Sequence, residues 1–115
     1  NFPAQKATSD LDIALPTGTG DGEYLARLRD GLAEALARAE PRFVFYLSGA
    51  DPFVGDRLGR LALNKAGLRL RDELVLGALR DRRPPHVTVM GGGSGPAIDD
   101  TVDVYEATVR VAVGA

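Results

Sequence analysis

Residues 43–56 read FVFYLSGADPFVGD, an apolar run followed by small residues and a loop with two aspartates. Its first five residues are all apolar or aromatic, which is typical of a strand buried on both faces of a parallel sheet. Small residues follow at positions 48–50 and let the chain turn, so Asp51 falls at the carboxyl end of the strand. Open parallel α/β sheets bind ligands at that end. From spacing alone, Asp51 is either a ligand-facing carboxylate or a group that caps the loop.

Strand and helix patterns alternate along the rest of the chain. This order predicts one α/β domain over residues 1–115, with a largely parallel sheet flanked by helices. The predicted strands lie near residues 11–15, 42–48 and 86–90, and the predicted helices near residues 22–39, 64–80 and 96–113.

The helix boundaries and buried faces are predicted from caps and apolar spacing. Asp21 and Asn64 are expected N-caps, and Pro96 is expected in the first turn of the last helix. In the second helix we expect the charged residues Arg69, Arg71, Asp72 and Glu73 to face water. The last helix has one apolar face, predicted to be buried, formed by Ile98, Val102, Tyr105, Val109 and Ala112.

Composition excludes several classes of protein. The chain has 115 residues and a net charge of -2, which gives no electrostatic reason to expect a nucleic acid or membrane partner. It has no cysteine, so disulfides, thiolate zinc sites and a cysteine nucleophile are excluded. No apolar run approaches the roughly 20 residues of a membrane span, and we expect a cytoplasmic protein. Because the chain begins at Asn1, we expect it to be a piece of something longer.

Two short motifs leave alternatives open. The glycine run Gly91, Gly92 and Gly93 follows a predicted strand and allows positive φ angles and close backbone approach. It is either a structural loop or the loop of a small nucleotide-binding domain, although the GxGxxG spacing is absent. The cluster RDRRPP at residues 80–85 is either a solvated helix end or an anion site.

Longer motifs resemble a known family. Residues 46–68, YLSGADPFVGDRLGRLALNKAGL, resemble the GAD-x3-GDRLG segment of the histone deacetylase superfamily, which includes bacterial acetoin-utilisation-type and acetylpolyamine amidohydrolase-type members. NFP at residues 1–3, the LP-x-GTGD-x-EYL pattern at residues 15–25 and VMGGG at residues 89–93 occur in the same order. The resemblance therefore covers nearly the whole chain.

The resemblance implies an arginase-like parallel sheet with a catalytic zinc at the carboxyl ends of its strands. Two aspartates and one histidine hold that zinc, and a hydrolytic zinc keeps one position open. Asp51 matches one of the aspartate ligands. Asp56 matches the second aspartate of the loop, which we interpret as structural, bonded to nearby backbone amides and to Arg57.

The sequence departs from the family pattern at several places. The other zinc ligands and the general-base histidine pair belong to upstream motifs, and His86, the only histidine here, stands at the foot of a strand. The family places a carbonyl-polarising tyrosine after the glycine run, where this chain has Ser94, or Gly95 if the alignment slips by one. Serine is too short to replace that hydroxyl directly. Tyr105, on the following helix, is no obvious substitute.

Two functions remain after the resemblance is included. The first is a C-terminal fragment of a zinc-dependent deacetylase that acts on acetyl-lysine or acetylpolyamine amides and is inactive alone. Zinc then belongs to the complete domain, and this chain alone is not expected to bind it stoichiometrically. The second is a degenerate, non-catalytic α/β module that self-associates. Because the central strands would expose apolar edges, we expect the partner to be the missing N-terminal part or another copy of the chain.

Overall fold

The computed structural model describes residue 5 and residues 7–114, so the NFP stretch at the start lies outside the described residues. The predicted α/β class is confirmed, and the parallel strands are flanked by helices. The elements are α1 (Asp21–Ala39), β1 (Val44–Gly49), α2 (Lys65–Arg82), β2 (His86–Gly91) and α3 (Ile98–Val113).

The sheet is built from a single βαβ unit. β1 and β2 pair in parallel, with a register that runs from Val44 opposite His86 to Gly49 opposite Gly91, and α2 connects them. β-branched and aromatic residues fill the middle of both strands, as expected for a pleated, buried surface. The two strands end at the same level, which brings the residues that follow each of them together.

The predicted strand at residues 11–15 is wrong, because these residues form neither helix nor strand. Ile13 instead packs its side chain against Gly31 of α1. The inter-segment backbone hydrogen bonds begin only in the following glycine-rich loop, where Gly18 N donates to Arg60 O (2.7 Å) and Ala62 N donates to Thr19 O (2.8 Å). An alternating apolar pattern therefore reflects packing on a helix here and not membership of the sheet.

Helix α2 lies at the centre of the core, between α1 and α3 and against the sheet. Two clusters of buried apolar residues surround it. The first contains Leu36, Val75, Leu76, Leu79 and Val111. The second contains Ala50, Leu63, Leu68 and Val104.

A charged pair is buried between these two clusters. Arg71 is only 3% exposed and Asp72 only 1%, so the prediction that both face water is wrong. Their position explains the burial, because residues 71 and 72 lie on the same face of α2 as Leu68 and Val75. Arg69 and Glu73, which do face solvent, pair with each other at 3.1 Å.

Every polar atom of this buried pair has a partner. Asp72 accepts hydrogen bonds from Tyr46 Oη (2.5 Å) and Ser48 Oγ (3.0 Å) of β1 and from Thr108 Oγ1 (2.5 Å) of α3. Arg71 donates to Ser48 Oγ (2.7 Å) and to the Gly49 carbonyl (2.6 Å) at the end of β1. This network ties α2 to β1 and α3 at once.

One face of the sheet is bare. Val44, Tyr46 and Ser48 point towards the helices, whereas Phe45 and Leu47 point away and are 76% and 67% exposed. The prediction of a strand buried on both faces is therefore wrong for the residues described, because no helix lies on the second face. Exposed apolar side chains cover that face, which we name the open sheet face: Phe43, Phe45, Leu47, Val87 and Val89.

Helix α3 buries a different face from the predicted one. Its buried residues are Val104, Thr108 and Val111, whereas Ile98, Val102 and Val109 of the predicted face are exposed. The hydroxyl of Thr108 explains the choice, because it completes the hydrogen bonding of Asp72. The helix begins at Ile98, so Pro96 precedes it and does not belong to its first turn.

The helix ends show how α1 and α2 meet. Asn64 caps α2 as predicted, accepting a hydrogen bond from Gly67 N at 2.7 Å. Asp21 is not an N-cap but the first residue of α1, and its carboxylate accepts from Asn64 N at 3.0 Å beside the start of α2. A carboxylate is favourable there because the amino end of a helix carries partial positive charge.

One arginine of the basic cluster at the end of α2 makes a structural contact with the end of α3. Arg80 donates to the carbonyl oxygens of Val111 (2.6 Å) and Ala112 (3.2 Å). These carbonyls belong to the last turn of α3, where they lack the usual i+4 partner, and Val111 O also accepts from Gly114 N at 3.2 Å.

We predict that Asp72→Asn strongly destabilises the chain. The amide cannot accept all the hydrogen bonds of the carboxylate, and it leaves Arg71 buried without a counter-charge, which costs about 3–5 kcal/mol. The matched control is the neighbouring Glu73→Gln, which breaks an exposed i,i+4 pair worth about 0.3–0.5 kcal/mol. Urea unfolding of both variants measures the difference. Equal midpoints for the two would show that the buried pair contributes nothing.

Candidate functional site

The carboxyl ends of β1 and β2 bring together the residues of the candidate site. A Cβ atom at Gly49 would lie 2.5 Å from both Asp51 Oδ1 and the carbonyl oxygen of Gly91. A Cβ at Gly92 would lie 2.8 Å from the same Asp51 oxygen. Glycine at both positions therefore allows the Asp51 carboxylate to lie across the two strand ends. Gly92 and Gly93 have φ angles of +78° and +110°, a conformation that favours glycine.

The Asp51 carboxylate is half-buried and accepts no hydrogen bond within the part of the chain that the structure describes. It lines a cavity of about 360 Å³ together with Tyr24, Tyr46, Arg71 and Gly92. A carboxylate without an internal partner, at the ligand-binding end of a parallel sheet, is free to bind a cation or a donor that comes from outside these residues.

The described residues do not form a zinc site by themselves. Among residues 5 and 7–114, no group of three His, Cys, Asp or Glu side chains is close enough together to hold a metal ion. His86 is exposed at the amino end of β2, with its Nδ1 3.1 Å from the Pro84 carbonyl oxygen, whereas Asp51 lies beyond the carboxyl end of β1. Since zinc requires about three protein ligands, Asp51 alone does not suffice.

Asp56 joins the loop after β1 to the loop after β2. Its buried carboxylate accepts hydrogen bonds from Leu58 N (3.0 Å), Gly59 N (2.6 Å) and Ser94 N. These are the expected contacts with backbone amides. The expected bond from Asp56 to Arg57 is not found among the described residues; instead, Arg57 N donates to Ser94 O at 3.2 Å.

Ser94 is consequently held through its backbone. Its N–H is bonded to Asp56 and its carbonyl to Arg57, while its hydroxyl makes no hydrogen bond within the described residues. Gly95, the alternative match to the family's tyrosine, lies on the same loop and has no side chain. The hydroxyl of Tyr105 donates to the Gly92 carbonyl at 2.5 Å, so this tyrosine supports the glycine run.

Sequence reasoning missed the two tyrosines that line the cavity, Tyr24 and Tyr46. Burial raises the pKa of Tyr24 and of Tyr46, and the Asp72 carboxylate raises that of Tyr46 further. Both phenols therefore stay protonated beyond the pH at which an exposed tyrosine ionises. The helical spacing of Leu68, Asp72 and Val75 is the signal that could have placed this polar network inside.

The fold and the site together define a class: a parallel α/β protein whose candidate site lies at the carboxyl ends of adjacent strands. The family model of the histone deacetylase domain matches residues 2–110. The chain therefore belongs to the histone deacetylase family.

Two curated relatives show how much of such a protein the chain represents. It is 45% identical over 102 residues to an uncharacterized protein of Picosynechococcus sp., covering 89% of this chain and 34% of the relative. It is 34% identical over 84 residues to histone deacetylase 2 of Arabidopsis thaliana, covering 73% of this chain and 22% of that protein. The chain thus spans about a third or less of the length of these relatives. No helix among the described residues is long and apolar enough to cross a membrane.

We predict that Gly49→Ala destabilises the chain and displaces the Asp51 carboxylate. The new methyl group would meet a backbone oxygen that cannot move without breaking the sheet, an overpacking worth about 1–3 kcal/mol. Gly77→Ala is the control, because a Cβ there meets nothing within 4 Å and alanine favours the interior of α2 by about 1 kcal/mol. Urea unfolding should therefore give changes of opposite sign. A stabilised Gly49→Ala variant would contradict the close approach of the two strand ends.

Proposed function

We propose that the chain is a segment of a zinc-dependent deacetylase, an amide hydrolase of the acetyl-lysine or acetylpolyamine type. In the complete domain Asp51 is one of the protein ligands of zinc. The observation that supports this role is the Asp51 carboxylate, which lies across Gly49 and Gly92 at the strand ends without a hydrogen-bond partner among the described residues.

The surrounding residues support Asp51 in this role. Arg71 fixes the end of β1 through the Gly49 carbonyl, and Tyr105 fixes the Gly92 carbonyl of the neighbouring loop. Asp56 closes the loop that follows Asp51 and holds Ser94 at the end of the glycine run. The carboxylate is thus placed by a rigid frame, which a metal ligand requires.

On this proposal the chain is not a competent deacetylase by itself. Zinc needs about two protein ligands besides Asp51, and these must come from outside the described residues. Within the described part of the chain, a base that works near neutral pH is also missing close to the site, because the one histidine lies at the other end of β2.

The alternative function is a degenerate α/β module that self-associates, and one observation favours its lack of catalysis. Ser94 occupies the position at which the family is expected to have a tyrosine. The serine side chain is too short to place its hydroxyl where that of a tyrosine would lie. A parent protein that has lost this donor would retain the fold and binding surfaces without efficient turnover.

Zinc content tests the ligand role of Asp51. The test protein is a chimera in which this chain replaces the matched segment of the Picosynechococcus relative. We expect one zinc per molecule in the chimera and in the unmodified relative, and a large loss of zinc in the Asp51→Asn chimera. Asp99→Asn is the control and should retain zinc, because this exposed carboxylate in the first turn of α3 lies outside the frame that places Asp51.

Two results would contradict the ligand role: an Asp51→Asn chimera that retains its zinc, and a chimera or relative without zinc. Tight stoichiometric zinc on the 115-residue chain alone would instead contradict the need for ligands from outside the described residues, because a complete ligand set would then exist without the rest of the domain.

Restoring a phenol at position 94 tests the loss of the carbonyl-polarising group. Ser94→Tyr in the chimera should raise kcat/KM for an acetyl-lysine peptide or an acetylpolyamine by about 10²–10³, the usual contribution of one oxyanion donor. Ser94→Phe supplies the same ring without the hydroxyl and should give no gain. An equal gain in both variants would assign the effect to packing, and no gain in either would favour the non-catalytic function.

A further inference from the structure

The LP-x-GTGD-x-EYL motif at residues 15–25 lies outside both strands, but the fold joins it firmly to the loop that follows Asp51. Two backbone hydrogen bonds of 2.7 and 2.8 Å connect it to residues 60–62 of that loop. Thr19 is buried, and its hydroxyl donates to the Pro16 carbonyl at 2.6 Å. These contacts fix the point at which α1 begins.

Tyr24, in the first turn of α1, is the residue of this motif that reaches the candidate site. Its backbone N–H donates to Gly20 O at 3.1 Å, and its side chain packs on the buried cluster that contains Ala50 and Leu68. The same side chain lines the cavity of about 360 Å³ in which the Asp51 carboxylate lies. The motif therefore brings a phenol to the ligand-binding end of β1.

Four of the described residues contribute polar side chains to this cavity, and two of these side chains are already engaged. Tyr46 donates to Asp72, and Arg71 donates to Asp72 and to the end of β1. Within the part of the chain that the structure describes, the Tyr24 hydroxyl donates to no acceptor and the Asp51 carboxylate accepts from no donor. One cavity thus contains a donor and an acceptor that are both left over.

The residues next to Asp51 in space do not supply the missing donor. Gly49 and Gly92 make room for the carboxylate but have no side chain, and the Gly91 carbonyl beside them is an acceptor. A carboxylate that binds a metal is normally held by hydrogen bonds to surrounding groups, which fix its orientation. The donor for Asp51 must therefore come from another wall of the cavity.

The charges around Tyr24 agree with this position. Burial raises the pKa of Tyr24, the Arg71 guanidinium lowers it, and the Asp51 carboxylate raises it. Both charged groups therefore lie close enough to the phenol to act on it.

We propose that Tyr24 is a positioning residue for the zinc ligand Asp51. Its hydroxyl donates a hydrogen bond to the Asp51 carboxylate, directly or through one water in the cavity, and so holds the carboxylate in the orientation that zinc requires. This inference rests on the proposed function, because it takes Asp51 to be a ligand. Tyr24 acts through Asp51 and contacts neither zinc nor substrate.

The zinc affinity of the chimera with the Picosynechococcus relative tests this role. Tyr24→Phe keeps the ring and removes only the hydroxyl. We expect the zinc dissociation constant, measured by competition with a chelator, to rise by about 10–100-fold. The urea midpoint of the metal-free chimera should stay nearly unchanged, because the hydroxyl has no acceptor to lose among the described residues.

Glu23→Gln is the matched control, since Glu23 is the exposed neighbour in the same turn of α1 and does not line the cavity. It should change neither the zinc affinity nor the urea midpoint. Cobalt(II) in place of zinc adds a readout that a purely structural role would not change, because its visible absorption depends on the geometry of its ligands. Tyr24→Phe should alter these bands, and Glu23→Gln should leave them as they are.

Unchanged zinc affinity and an unchanged cobalt spectrum in Tyr24→Phe would overturn the inference. A loss of zinc affinity together with a large fall in the urea midpoint would also overturn it, because the effect would then come from packing. These outcomes differ from a failure of the proposed function. If Asp51→Asn retains zinc, the ligand role itself fails, whereas loss of zinc in Asp51→Asn with full affinity in Tyr24→Phe refutes only the role of Tyr24.

Discussion

The buried ion pair of Arg71 and Asp72 joins α2 to β1 and to α3 in the interior of the domain. Removing two charges from water is costly, and the pair is tolerated because hydroxyl groups from β1 and α3 and the Gly49 carbonyl satisfy both partners. The same contacts fix the direction in which β1 ends. The position of the Asp51 carboxylate, two residues beyond Gly49, therefore depends on a network in which that carboxylate itself takes no part.

The parts of the fold that could be predicted are those with local signals. The apolar stripe of α1, the two β-branched and aromatic strands and the Asn64 cap each depend on neighbours in sequence. The predictions that are wrong concern features decided by contacts between residues that are distant in sequence. Charged residues are usually exposed, so sequence reasoning places Arg71 and Asp72 outside. Helix α3 has two faces with apolar residues, and the buried one is the face on which Thr108 reaches Asp72 and on which Val104 and Val111 join the two core clusters.

In the candidate site, too, some contacts could be predicted from the sequence and others could not. A glycine run after one strand and an aspartate after the other predict that these groups meet, because parallel strands end at a common edge. The spacing gives no sign that Asp56 reaches Ser94 or that Tyr105 supports Gly92, since these contacts join residues 38 and 13 positions apart. The family resemblance identifies the residues expected to act chemically, whereas the contacts that position them can be seen only in the structure.

The bonding of position 94 has a consequence for substitutions at this position. Its backbone is fixed by the Asp56 carboxylate and by Arg57 N, and neither contact involves the side chain. Folding therefore places little demand on which amino acid occupies this position. Side-chain substitutions at position 94 should therefore leave the contacts between the two loops in place.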